Sequence, residues 1–498
     1  MADWSEKGPF KAMALKQIIP VKLQPWVFVL LAVIFQTSNV VYPASLTAMK
    51  SGTSLLSEDI MMCLYAAFAG MNIAFPMMWR FKFAFTTKEI LTICVSVMIV
   101  CNLIVPLTTF MPLLLFVCFL CGFAKMWATF ECISTVNPWL APNLDFPKFF
   151  PLLYMMILCP INLSSAVDIN LTYYFSWQSM HYLITGILLS VLLFVRIFMQ
   201  KFYLMGKGKL LGFDFTGLVL WSLLMIQMSF IAIYGEHYNW LDSDIIRFII
   251  GTCLITAGLC FGRMYFIRHP YIKWDALAYK RVPVALFLFF LMDAIMETPN
   301  SLQGILTTQL LGFDALNLSK LQWWGCLGTF LGCLFSLWWL RYARLPIIRL
   351  AFFGFLCALL YQSAMYFLTS ENLKLSYLYL PTVLRTFGYA SLYCSLTYYM
   401  KEFIPFDHFL QVLAITGVIR SGVGGSVGSA LYGYGLRYAI AKNSVTNLRM
   451  NEVMAISIKE LWGITIIVCI FIFMIILLFD TPARPTAKNF KIFRIFAK

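Results

Sequence analysis

Long apolar runs alternate with short polar connectors along almost the whole chain. A helix that crosses a bilayer needs roughly 20 predominantly apolar residues. On that template runs fall near residues 25–46, 57–79, 88–107, 112–134, 147–168 and 179–199, then 213–234 and 244–266. Six more follow near 281–300, 320–341, 346–369, 376–400, 407–436 and 459–479. Fourteen spans place both termini on one side of the membrane. The pattern predicts an all-α membrane protein, and no connector is long enough to house an ATP-binding or catalytic domain. The phosphate-binding pattern GxxxxGK[ST] does not occur. The spans themselves must do the work.

Charge supports the same count. Lys and Arg collect in cytoplasmic loops, and 26 of the 37 fall on the side of the termini against 8 on the other. Only Lys125, Arg385 and Arg420 are left inside spans. One connector, Arg437–Lys459, fits poorly, being long and basic. Residues 1–24 carry both charge signs and precede a run long enough to remain as a span, so no cleavable signal is expected. With 61% apolar and only 12% charged residues, the chain could not coat a water-soluble surface. The formal charge of +15 therefore reflects topological anchors, and no nucleic-acid partner is implied. The fourteen Cys lie mostly inside apolar runs, so neither a disulfide framework nor a metal site is expected. The four His are scattered near span ends and suggest no shared role.

An ionisable side chain inside a span costs several kcal/mol unless it is paired or faces water, which makes each one a functional candidate. In the ninth span, FLMDAIMETPNSLQG, Asp293 and Glu297 are four residues apart and share a helix face. Two carboxylates that close in low dielectric do not both ionise easily, which leaves one able to carry a proton; exposure at the outer mouth, near Pro299, is the alternative. The fourth span holds Lys125 and Glu131, about 120° apart around the helix at 3.6 residues per turn, and so suited to different partners. Arg385 and Arg420 cannot discard their charge and suit a carboxylate or an anionic substrate, although Arg420 could instead snorkel to the cytoplasmic end. Gly424 with Gly428, and Gly425 with Ser429, are small-xxx-small pairs that allow close helix packing. Gln36, Asn39 and Pro43 put polar groups and a helix breaker into the first span. Trp127, Phe130, Met292 and Tyr393 are candidate cavity walls, with packing against lipid as the plainer role.

Several stretches resemble the major facilitator superfamily, within it the fourteen-helix drug:proton antiporters. LLGFDFTGLVLW with the following YGEHYNWLDSD is similar to that family's Asp-x-x-Gly start of the seventh span and the loop after it; GVIRSGVGGSVGSALYG resembles its Arg-containing Gly-Gly-Ser segment of the thirteenth. IKELWGITIIV and FQTSNVVYPASL occupy the places of its last-span and first-span motifs. There are departures. Gln36 replaces the usual first-span Asp, and Cys118, Cys121 and Gly122 stand where Arg-x-x-Gln-Gly would be. The loop between spans two and three is reduced to MWRFKFAFTTKE, the fifth span reads CPINLSSAVD without the antiporter glycines, and Arg420 is one residue too far from Gly424-Gly425-Ser426. Lys125, two turns from Cys118, could supply the missing positive charge.

The resemblance implies a major facilitator fold of two six-helix bundles with two extra helices between them. The divisions expected are a cytoplasmic tail at 1–24, a bundle at 25–200, two inserted helices at 201–280, a second bundle at 281–480 and a basic cytoplasmic tail at 481–498. It implies proton-coupled export of amphipathic small molecules across an inner membrane, without a cofactor, and with a periplasmic adaptor and outer-membrane channel as candidate partners. Asp293, Glu297, Arg385 and Glu131 are the expected proton-coupling residues. Lys125, Gln36, Asn39, Trp127 and Arg420 are the expected substrate-binding residues. An importer or facilitator shares the fold, since fold does not set direction. A non-transporting receptor or scaffold is the rival of another class, and an embedded enzyme is least favoured because no His/Asp or Cys/His constellation occurs.

Overall fold

The structure, a computed structural model, describes residues 14–479 apart from 40, 143–144, 204–212, 280, 297–301 and 445–448. The expected Glu297 and the outer parts of both tails lie outside the described residues. Seventeen helices carry the described chain. In its first part these are α1 (Gln24–Thr37), α2 (Leu46–Gly52), α3 (Ser57–Ile73), α4 (Phe75–Ala84), α5 (Thr87–Ile104), α6 (Met111–Leu140), α7 (Phe146–Tyr174) and α8 (Ser179–Phe198). Two follow, α9 (Phe215–Tyr234) and α10 (Asp244–Phe266). The remainder are α11 (Val282–Met296), α12 (Ala315–Leu337), α13 (Ile347–Leu368), α14 (Tyr379–Phe403), α15 (Phe406–Gly417), α16 (Ser426–Asn443) and α17 (Met450–Phe479).

Among the described residues, ten helices are long and apolar enough to cross a membrane, and the bent pair α3–α4 makes an eleventh. The shorter apolar helices α1 and α11, with the Tyr-rich α14, occupy the remaining three runs marked by the sequence. The spans are less regular than their hydropathy. The first stops at Thr37 and resumes as a 3₁₀ turn at Pro43–Ser45, because proline has no N–H to continue the ladder. The second bends by 52° where Pro76 opens α4. The thirteenth contains a π-helical segment, Val418–Gly425, between α15 and α16. The basic stretch Arg437–Lys459 is largely helical, since α16 runs on to Asn443 and α17 begins at Met450. Its charges are partly paired there, Arg437 with Glu236 and Lys442 with Glu460.

Helix packing is set by small residues and by caps. A Cβ on Gly70 would lie 2.0 Å from the Phe119 carbonyl, and one on Gly122 would lie 2.1 Å from that of Ala67. The backbones of α3 and α6 therefore cross in contact, a geometry that only glycine at both positions allows. Thr86 opens α5 with a capping box: its hydroxyl accepts from the Glu89 N–H, and the Glu89 carboxylate accepts from the Thr86 N–H. In the first part α6 packs against α1, α3 and α5, and α5 against α8. In the last part α14 packs against α12 and α13, α13 against α17, and α11 against the π segment. The two groups meet along α7 with α12 and α14, and along α3 with α15 and the π segment.

Candidate functional site

The central feature is an ion pair between α11 and the π segment. Arg420 donates from Nε to Asp293 Oδ2 at 2.6 Å, with Nη2 3.4 Å from Oδ1. Asp293 is eleven residues into α11, about 16 Å at 1.5 Å per residue, and thus near the middle of a hydrocarbon layer about 30 Å thick. The guanidinium lies 4.4 Å from the Tyr393 ring centroid and 5.8 Å from that of Phe289, so two aromatic faces add to the carboxylate in balancing its charge. Gly424 lets the segment approach, since a Cβ there would meet the Phe290 carbonyl at 3.2 Å and Asp293 Cβ at 3.3 Å. The side chains of Asp293 and Arg420 remain 10% and 20% exposed, so the pair is not sealed from its surroundings.

Around this pair the two groups of helices touch through polar atoms. Tyr154 on α7 and Thr397 on α14 share a hydrogen bond of 2.6 Å, and the Tyr154 ring lies 5.1 Å from Tyr393. Asn72 on α3 donates to Ser421 at 3.1 Å, one residue from Arg420. Asn162 on α7 donates to Thr329 on α12 at 3.0 Å. Towards the start of α7 the contact becomes ionic and aromatic, with Arg341 2.6 Å from Asp145 and Phe150 against Phe409. A cavity of about 560 Å³ opens there, lined in part by Asp145, Arg281, Arg341, Arg344 and Glu402. Such a charged lining suits a polar vestibule more than a pocket for an apolar solute.

A second polar group lies within the first helices. Lys125 Nζ donates to Asn39 Oδ1 at 2.6 Å and to the Gln36 carbonyl at 3.1 Å, while the Gln36 amide donates to Thr129 at 3.0 Å. The break after Thr37 supplies these contacts, because Asn39 lies where α1 has ended. Glu131, on the same helix as Lys125, is held apart from it. Lys82 Nζ lies 3.0 Å from Glu131 Oε1, the Thr87 hydroxyl donates to the same oxygen at 2.6 Å, and the two charged side chains are 4% and 1% exposed. This latch ties the end of α4 and the start of α5 to α6.

Asp214 ties the seventh span to the connector after the eighth. It caps α9 by accepting from the Gly217 N–H at 2.8 Å, and also accepts from Arg263 and from the Tyr271 N–H at 3.1 Å. Tyr271 in turn donates to the Ile73 carbonyl at the end of α3. Burial pushes the Asp214 carboxyl up, but the bonds from Arg263, Gly217 and Tyr271 outweigh it and hold the group below the usual carboxylate range. A depressed folded value means that this stabilisation is complete above the unfolded value of about 3.9 and is lost as the pH falls through the folded one. Asp214→Asn should therefore lower the stability of the solubilised protein by about 1–2 kcal/mol at neutral pH. The gap to the parent should narrow below about pH 4, which thermal unfolding followed by tryptophan fluorescence at several pH values would measure.

The expected site residues thus fall in separate places. Asp293 meets Arg420, whereas Arg385 lies beside Tyr361, whose hydroxyl donates to Gln303; a contact of Arg385 with Glu297 lies outside the described residues. Arg420 takes the position against the Asp293 carboxylate. Lys125, Gln36 and Asn39 come together, and Glu131 is occupied by Lys82. Trp127 packs edge-on against Phe81 at 4.9 Å, and its Nε1 is buried without a hydrogen-bond partner. Sequence reasoning missed Asp168 on α7, which is fully buried. A carboxylate 22 residues into a helix was signal enough to find it.

No family model and no curated protein matches the chain. Solved structures do. A mutant of the nucleoside transporter NupG aligns over 90% of this chain and 99% of its own at 12% identity, with a TM-score of 0.54. An auto-inhibited POT family peptide transporter covers 94% and 99% at 13% identity and 0.56, and the POT family transporter PepTSo 91% and 97% at 15% and 0.53. At such identities the likeness concerns the fold. Helical throughout among the described residues, the chain is a multi-pass membrane protein that shares the fold of those transporters.

Proposed function

We propose that this protein is a proton-coupled secondary transporter that exports amphipathic small molecules by alternating access, with Asp293 and Arg420 as its coupling pair. The observation that carries this reading is the ion pair itself, which joins α11 to the π segment and is left partly accessible. A proton arriving at Asp293 Oδ2 would remove the acceptor of the Nε bond and free the guanidinium, which keeps its charge and its aromatic neighbours. The helices on either side would then lose the contact that holds them together. One charge moved through 100 mV supplies about 2.3 kcal/mol, enough to bias such a change. The fold of the three comparison structures, which are named as transporters, supports transport as the general activity.

Direction and solute are the finer parts of the proposal. Tyr154, Phe289 and Tyr393 around the pair favour a solute with an apolar body, while the buried Lys125–Asn39–Gln36 group favours a second reading, transport of a polar metabolite. Both termini would lie in the cytoplasm of a cell with an inner membrane, given the basic loops. The scheme does not require an adaptor. Purified protein reconstituted in liposomes should move a fluorescent amphipathic cation against an imposed pH gradient and stop when the gradient is collapsed. Movement indifferent to the gradient would refute proton coupling, and movement of nucleosides or small peptides alone would favour the second reading.

A further inference from the structure

Asp168 stands apart from everything used above. It is 0% exposed on α7, and neither carboxylate oxygen accepts a hydrogen bond. Among the described residues no Lys, Arg or His nitrogen comes within ion-pair distance of it, whereas Asp293, Glu131, Asp145 and Asp214 each have such a partner. An ionised carboxylate left alone in an apolar interior is far costlier than the same group neutralised. The group must therefore either meet a compensating charge or carry a proton, and the immediate neighbours supply no charge.

Those neighbours are the hydroxyls of Ser45 and Thr172. Ser45 already donates its proton to the Tyr42 carbonyl at 3.2 Å, and Thr172 Oγ1 is buried with no partner. The Ser45 oxygen, its own proton committed, is thus placed to accept a hydrogen bond, which an ionised carboxylate cannot give and a carboxylic acid can, while the unpartnered Thr172 hydroxyl is free to accept as well. The broken first span contributes Tyr42, whose hydroxyl is engaged by the Asn39 N–H and the Thr37 carbonyl. Lys125 on α6 is committed to Asn39 and Gln36. His181 on α8 lies against the Tyr42 ring and bonds Asn102. Lys320 on α12 is exposed and Arg385 on α14 is beside Tyr361.

We propose that Asp168 is a second proton-binding site, holding its proton at neutral pH as a carboxylic acid that donates to Thr172 or Ser45. The site lies under the break in the first span, the segment that also carries Asn39 to Lys125. A movement of that break would change the surroundings of both buried charges at once. The assignment is independent of the role given to Asp293 and Arg420.

Infrared spectroscopy of the purified full-length protein at neutral pH tests it without any transport assay. The parent should show the C=O band of a protonated, buried carboxylic acid. Asp168→Asn should lose that band and Asp293→Asn should keep it. Thr172→Val should keep the band and move it to higher wavenumber as an acceptor is removed, which also covers the case in which Asp168→Asn fails to fold. Overturning results would be no such band in the parent, an unchanged band in Asp168→Asn, or loss of the band from the parent on adding sodium at constant pH, which would make the group a sodium site.

Discussion

Asp293→Asn is expected to abolish gradient-driven accumulation in proteoliposomes, by about a hundredfold, which corresponds to about 2.7 kcal/mol. The amide keeps the shape of the side chain and cannot change charge, so the group can no longer report which side it faces. The variant also leaves Arg420 buried without its anion, and losing one partner of a buried pair costs about 3–5 kcal/mol. Two effects are thus mixed, and a second substitution separates them. Asp293→Asn combined with Arg420→Gln removes both charges and should recover much of the lost thermal stability, while accumulation stays absent. Solute exchange without a gradient should survive in the double variant if the fold is intact. Full accumulation by either variant would refute the coupling role of the pair. Arg420→Lys provides a further contrast, because a point charge on a flexible stem cannot reproduce the directed guanidinium contact to the carboxylate.

Glu131→Leu should be the most destabilising single change in the first helices, by about 3–5 kcal/mol, because Lys82 then remains as an uncompensated buried cation. Adding Lys82→Met replaces the pair with apolar groups of similar volume and should restore most of that loss, since buried ion pairs are often no better than well-packed hydrophobes. The unfolding temperatures of the two singles and the double form a cycle that gives the coupling directly. A double variant as unstable as the sum of the singles would mean that Lys82 and Glu131 act separately. If the pair also latches the connector between α4 and α5, the rescued double should unfold normally yet transport at an altered rate.

The extent of the spans was legible because lipid imposes one length and one polarity on every crossing helix. The runs around α5, α8, α9 and α10 match their helices closely for that reason. Hydropathy does not see backbone geometry, so the interruption at Ser38–Tyr42 and the bend before Pro76 were visible only as a proline in each run. The candidate charges were legible individually, since a charged residue in an apolar run is conspicuous. Their partners were not. Sequence spacing relates residues on one helix, but Asp293 and Arg420 are 127 positions apart and Lys82 and Glu131 are 49 apart. Which side chains meet depends on helix rotation, which spacing along the chain does not give. Asp168 was passed over because it closes an otherwise ordinary polar stretch, SSAVD, whose burial depends on the broken first span lying above it.

The π-helical segment Val418–Gly425 carries a constraint on chain length. In it the backbone bonds run from i to i+5 instead of i+4, so the stretch stores extra residue relative to a plain α-helix. The sequence showed the same thing as Arg420 standing one position too far from Gly424. Excising a single residue there would let the whole thirteenth span wind as one uninterrupted coil with little change of phase, whereas excising one from the first turn of α16 would turn all that follows by roughly 100° about its axis. Leu436 and Ala439, now buried, would be swung out of the core while Leu431 and Tyr434, now exposed, moved towards it. A single deletion should be far better tolerated within these eight positions than in the first turn of α16, since the wide turn already absorbs one residue of phase.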